Sequence, residues 1–305
     1  HECSSAASDV YKRQFQYHIL LHIIILMWGF TGILGKIISL DPLPIVWYRV
    51  LISVVSLGII LPLLKRSLKL TSLREFILLA FVGVVVALHW VTFYISIDLS
   101  TASLGILCLS TTTVHVAWLE PLIMKRRFSW IELGLGLIVI YGIYFVSADF
   151  NAQDYEALAY GLFSAFLAAL FSVMNGKFAK TMAPSKITFY EMLIGGAFLT
   201  VLLMARGEFT SELFDLSTKD ILWLLFLGLL CTSFAFLVTV ELIKRLGAFT
   251  VSLSVNMEPV YTIILAIFLL GEQKIVGTQF YIGSTIIVVV VLANAILKRF
   301  LRKTA

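Results

Sequence analysis

Long apolar runs decide what this chain can fold into. Ten follow one another: 17–38, 42–64, 73–97, 100–123, 130–148, 156–179, 185–205, 219–242, 248–271 and 276–297. About 20 helical residues cross the ~30 Å hydrocarbon core of a bilayer. A soluble domain would need far more surface charge than 13% charged residues beside 60% hydrophobic ones can supply. The fold class read from this is an all-α polytopic membrane protein of about ten transmembrane helices. The breaks are short and carry turn or charge signals, "SLDPLP", "KRRFSW", "KTMAPSK" and "KRLGA" among them. The longest, about residues 206–218, is too short to fold alone. Cys3, Cys108 and Cys231 make no CxxC spacing, and neither a metal nor a cofactor is expected.

Charge gives the orientation. With ten spans, sixteen Lys and Arg fall on one side, against Lys36, Arg206, Lys219 and Lys274 on the other, and the opposite loops are acidic. Basic loops stay inside, so both termini are expected in the cytoplasm, with the chain in a bacterial inner membrane. The net charge of +5 then belongs to these loops, and the bilayer, not a nucleic acid, is the expected partner. The sequence leaves the oligomeric state open, a homo-oligomer included. Residues 1–14 are polar and unlike the rest. Their "DVYKRQ" back-translates to GAT GTG TAT AAG AGA CAG, the sequence of a transposase adaptor used in sequencing libraries. This leader is expected to be a read artefact or disordered.

Ten spans divide into five plus five, 15–150 and 151–305, and an odd unit repeated inserts upside down. "AFVG" (80–83) aligns with "LFLG" (225–228) at an offset of 145, and "GKI" (35–37) matches "GKF" (176–178) nearby. In the same region Arg49 aligns with Glu191, two opposite charges. The chain holds two Glu-Pro phrases, "NMEPV" and "WLEPL", but they are not repeats of each other. At offset 145 Glu258 faces Thr113, and Glu120 lies near the basic end of its span, before Lys125.

These features resemble the drug/metabolite transporter superfamily, in particular the ten-span EamA-type exporters. The resemblance rests on "WGFTGILGK", "PLPIVWYRVLIS", "STASLGILCLSTTTV", "LGAFTVSLSVNMEPVYTIILAIFLLGE" and "YIGSTIIVVVVLANA". It implies two inverted five-helix repeats, a central cavity and export of a small metabolite, amino-acid-like or drug-like, by alternating access. Where many relatives carry a proline in the fourth span and an acid after it, this chain has Thr113–Val114 and Arg127. The rival classes are an intramembrane enzyme acting on a lipid or peptide, and a channel or scramblase. No GxSxG, HExxH or P-loop is present.

Glu258 is the sharpest site candidate. A charge at mid-bilayer costs about 2.5–3.5 kcal/mol on insertion scales, which favours a cavity or a partner. It is read as a substrate or proton-coupling group, or else as a cap on a neighbouring helix. Pro259 has no N–H, so it frees the Val255 carbonyl and predicts a local break. Ser254, Glu258 and Thr262 share a helical face, with Asn256 off it. Thr111, Thr113 and His115 in the fourth span and His89 in the third are cavity candidates; for each His the alternative is a bond between helices. Trp28, Trp90, Tyr94 and Trp118 line an aromatic pocket or serve as packing. Arg49, Glu191, Glu120 and Glu272 are read as structural or gating residues, and Gly29, Gly32, Gly35, Gly195 and Gly196 as close-approach points.

Overall fold

The computed structural model describes residues 2–125, 127–148, 150–246, 251 and 254–303. Arg126, Asp149 and residues 248–250, 252 and 253 of the expected ninth span lie outside the described residues. The first three helices are α1 (Glu2–Ile37), α2 (Pro42–Leu63) and α3 (Leu73–Leu99). Helix α4 comprises Ala102–Ser110 and Thr112–Met124. After it come α5 (Trp130–Val146), α6 (Ala152–Phe178) and α7 (Pro184–Ala205). Helix α8 is built from Thr218–Leu225, a π-helical stretch Phe226–Phe234 and Ala235–Leu246. Helix α9 runs over Glu258–Leu265 and a π-helical turn Ala266–Leu270, and α10 over Thr278–Lys303. Helix α1 continues through the leader, and its membrane-length part is Gln14–Ile37. Among the described residues seven helices are long and apolar enough to cross a membrane, while Trp130–Val146, Glu258–Leu270 and Thr278–Ala293 are shorter apolar helices. The result is an all-α polytopic membrane fold.

The two halves pack by exchange. Helix α1 lies on α9 and α8, and correspondingly α6 lies on α4 and α3. Helix α2 lies on α8 as α7 lies on α3, and the contacts of α2 with α7, α5 with α10 and α4 with α9 join equivalent helices. Each five-helix repeat therefore buries its faces mainly against the other one, the arrangement of two inverted repeats.

Local chemistry repeats with the packing. Ser72 caps α3 by accepting from Glu75 N (3.1 Å), and Ser217 caps α8 by accepting from Asp220 N (3.1 Å). Both pairs sit 145 residues apart. Each capping acid then reaches across to the other half. Glu75 forms a buried ion pair with Lys186 at the start of α7, and Asp220 accepts from Ser39 N (2.9 Å) after α1. The aligned glycines act alike. A Cβ on Gly83 would lie 3.0 Å from the Glu191 carbonyl oxygen, and one on Gly228 would lie 3.2 Å from that of Arg49. These two glycines let α3 and α8 come against the backbone of the helix that carries each charge.

Candidate functional site

Two spans break at equivalent places. In α4 the helix stops at Ser110 and restarts at Thr112, with Thr111 N donating to Cys108 O (2.9 Å). Before α9, Met257 N donates to Ser254 O (2.9 Å), and the helix starts at Glu258 with Pro259 in its first turn. Thr111 and Asn256 are 145 residues apart. One break is made by proline; the other uses threonines. Thr111 Oγ1 donates to Cys108 O (2.6 Å) and Thr113 Oγ1 to Ser110 O (3.1 Å), bonds that compete with the helical ladder. The spans then end alike, α4 at Lys125 (φ 54) and α9 at Gly271 (φ 70), both left-handed.

Between the broken spans lies a cavity of about 540 Å³, within the usual range for small-molecule sites. Both halves contribute. From the first half come Trp28, Arg49, His89, Trp90 and Thr113; from the second, Asn175, Glu191, Asn256, Glu258 and Pro259.

Arg49 is almost fully buried on α2 and well held. Its Nε donates to Thr232 Oγ1 (3.0 Å), and its guanidinium carbon sits 4.0 Å from the Trp90 ring centroid. Desolvated cation–π contacts of this kind contribute about 2 kcal/mol. The π-helical stretch of α8 presents Thr232, whose hydroxyl in turn donates to Leu227 O five residues back (2.8 Å). Gly228 in that stretch accepts at its carbonyl from Ser53 (3.2 Å) and Ser233 (3.1 Å). Glu258 is half-buried at the start of α9, where a helix N-terminus favours negative charge. Arg49 lies within electrostatic reach of it but forms no ion pair with it or with Glu191 among the described residues. Glu191 on α7 is 4% exposed, with Asn175 of α6 beside it. His89 lines the cavity and ties α3 to α6, its Nδ1 lying 2.9 Å from both Ser164 O and Ser164 Oγ.

The structure moves several residues off the lining. Thr262 is fully buried against α1, donating to Gly29 O (3.1 Å) and Glu258 O (3.0 Å). A turn at Asn256–Met257 separates Ser254 from Glu258; Asn256 and Glu258 line the cavity, and Ser254 is not among the lining residues. Thr111 is consumed in its own break. His115 turns to Phe166 of α6 (ring centroids 5.8 Å) and Trp118, itself exposed. Tyr94 is buried, donating to Thr31 O (3.2 Å). Glu120 is half-buried near the end of α4. Glu272 is 3% exposed and closes the opposite end of that span: its carboxylate accepts from Ala102 N (2.7 Å) and Ser103 N (3.1 Å), capping α4 across the two halves. Lys36 donates to Asp98 O (3.0 Å) at the same end.

Sequence reasoning missed Asn175, Thr188 and Thr232, which all line the cavity. Only Asn175, an amide within an otherwise apolar run, carried a signal.

Comparison with known proteins agrees with this architecture. An EamA-like transporter family model matches twice, over residues 16–148 and 156–298. An uncharacterized transporter of Archaeoglobus fulgidus is 27% identical over 276 residues, covering 84% of this chain and 90% of that one. The uncharacterized transporter YdfC of Bacillus subtilis is 23% identical over 269 residues, covering 86% and 85%. A solved crystal structure superposes with a TM-score of 0.64 at 15% identity over 92% of this chain and 97% of that one, which shows the shared fold alone. The family model accounts for each half in turn, five helices at a time, and the protein belongs to the EamA-like transporter family of membrane proteins.

Proposed function

We propose that the chain is a secondary carrier of the cytoplasmic membrane that exports a small organic molecule, amino-acid-like or drug-like, by alternating access. The two repeats, residues 15–150 and 151–305, would exchange conformations as the cavity changes sides. The basic end of the bundle, with both termini, faces the cytoplasm. The observation that carries this reading is the cavity itself: it is walled by both repeats, at the level of the paired breaks, with Arg49 and Glu258 on opposite halves. Backbone broken at that depth is tolerated in a membrane only where it lines a cavity or is buried in protein. Clasps that join the halves at the ends of the bundle, Glu272 on α4 at one and Glu75 with Lys186 at the other, are contacts that rocking would make and break.

Glu258 is the proton-coupling group in this scheme. It sits at a helix start in the cavity, where a proton can be exchanged each time the cavity changes sides. The serine–histidine contact between α3 and α6 does not favour the enzyme reading. Ser164 has no exposed surface, and its hydroxyl also lies 2.9 Å from the His89 carbonyl oxygen, so it presents no nucleophile to the cavity.

Counterflow in proteoliposomes tests the proposal. Preloaded substrate is expected to drive saturable uptake of its labelled form, and Glu258→Gln is expected to flatten the dependence of net transport on pH. Unchanged transport and unchanged pH dependence in Glu258→Gln would remove the coupling role.

A further inference from the structure

We propose that Glu191 and Asn175 form the binding site for a primary ammonium group of the transported molecule. Glu191 and Asn175 line the cavity, and the Asn175 side chain reaches the Glu191 carboxyl; the two buried oxygens left over, Glu191 Oε1 and Asn175 Oδ1, have no hydrogen-bond partner among the described residues. Buried polar atoms are paired in the great majority of cases, so two orphans side by side point to a missing donor. The hydroxyl of Thr188, one turn before Glu191 on the same wall, supplies a third oxygen. Three acceptors match the three N–H bonds of an R–NH3+ group.

The charges on the wall agree. Among the described residues two carboxyl groups, Glu191 and Glu258, line the cavity against one guanidinium. Arg49 is held by Thr232 and the Trp90 ring and does not pair with Glu191 among the described residues. His89 is engaged with Ser164. A positive group on the cargo would supply the charge that the wall lacks. A bound metal ion fits less well. A hard cation such as Ca2+ takes about six to eight oxygens, and no group of three or more His, Cys, Asp or Glu suited to a metal occurs among the described residues.

The word "transported" rests on the carrier reading; the site itself can be tested without flux. The full chain in lipid nanodiscs is titrated with 2-phenylethylammonium, its neutral analogue 2-phenylethanol, and 2-phenylethyltrimethylammonium, which keeps the charge but has no N–H. Binding is read from the fluorescence of Trp28 and Trp90, which line the cavity, and from the shift in melting temperature. The primary amine is expected to bind about tenfold or more tightly than either analogue, and Glu191→Gln to weaken it by about tenfold or more. Trp118→Leu, on the exposed surface, is expected to bind as the wild type does.

No binding of the amine by the wild type up to about 1 mM would overturn the proposal. So would wild-type affinity in a Glu191→Gln protein, the behaviour of a carboxyl that holds only a proton, or equal binding of the quaternary amine. If Glu191→Gln does not fold, Asn175→Ala and Thr188→Val decide: weakened amine binding supports the site, and unchanged binding in both overturns it. Amine binding without counterflow overturns the carrier reading alone, and counterflow without amine binding overturns this site alone.

Discussion

The corner where α2 meets α8 and the corner where α7 meets α3 are built on one plan and finished differently. In each, a glycine of the repeated motif, Gly228 or Gly83, lets a helix settle on the backbone of the residue that carries the charge. At the first corner Arg49 has a hydroxyl from Thr232 and the face of Trp90. At the second, Glu191 keeps an oxygen with no partner. Duplication supplied a symmetrical frame, and substitution within it gave the cavity a satisfied positive wall and an unsatisfied negative one. In the proposed carrier, symmetry in the frame would let the halves exchange conformations, and asymmetry in the lining would give the cavity a chemical direction.

Removing the filled corner should have the largest effect. Arg49→Ala leaves Thr232, Trp90 and the nearby Glu258 without their cation. Losing a desolvated cation–π contact of about 2 kcal/mol and a hydrogen bond of about 1 kcal/mol together should lower transport by roughly 100-fold. Arg49→Lys should not rescue it, because an ammonium lacks the planar fork that stacks on Trp90. Initial rates of counterflow check both variants, and near-normal rates in Arg49→Ala would mean that the two corners do not differ in function.

Next come the glycine seats. A Cβ at residue 228 would stand 2.6 Å from Ile52 Cγ2 and one at residue 83 would stand 3.0 Å from the Glu191 carbonyl oxygen. Gly228→Ala and Gly83→Ala should each cost about 1–3 kcal/mol through overpacking. Melting in detergent checks this. If only one of the pair is sensitive, the shared frame is less symmetrical than its geometry.

A cross-half clasp should matter somewhat less. Glu272→Gln keeps one acceptor oxygen for the start of α4 but loses the charge, and about 1–2 kcal/mol of stability should go with it. A lowered melting temperature, with greater labelling of a cysteine placed at Ile106 by a thiol reagent added on the Glu272 side, would show that this clasp holds its end of the cavity shut. The smallest effect is expected for Thr232→Val, which removes one hydrogen bond to Arg49 while the Trp90 contact stays, at about 1 kcal/mol.

The frame was readable in the sequence because a bilayer imposes length. Apolar runs and short breaks placed ten helices, and the offset of 145 that aligns "AFVG" with "LFLG" also relates Ser72 with Glu75 to Ser217 with Asp220. The lining was less legible. In a helix that is apolar on every side, the pattern does not reveal which face meets the partner. Thr188 and Thr232 therefore gave no sign of their place. Where a helix breaks, the residue count loses its meaning: Ser254 and Glu258 are spaced by four but stand on either side of a turn. The Thr111 break has no proline to announce it, and the π-helical stretch of α8 rests on hydroxyls such as Thr232, whose bond to Leu227 leaves no mark in the pattern.

Alternating access requires one cavity shared by the two halves and opened to each side in turn. Counterflow with purified protein in sealed liposomes tests this most directly. Uptake of labelled substrate should saturate, should rise when unlabelled substrate is held inside, and should be lost in Thr113→Trp, which fills the cavity from the α4 break. Flux that grows linearly with concentration, ignores internal substrate and survives Thr113→Trp would contradict it.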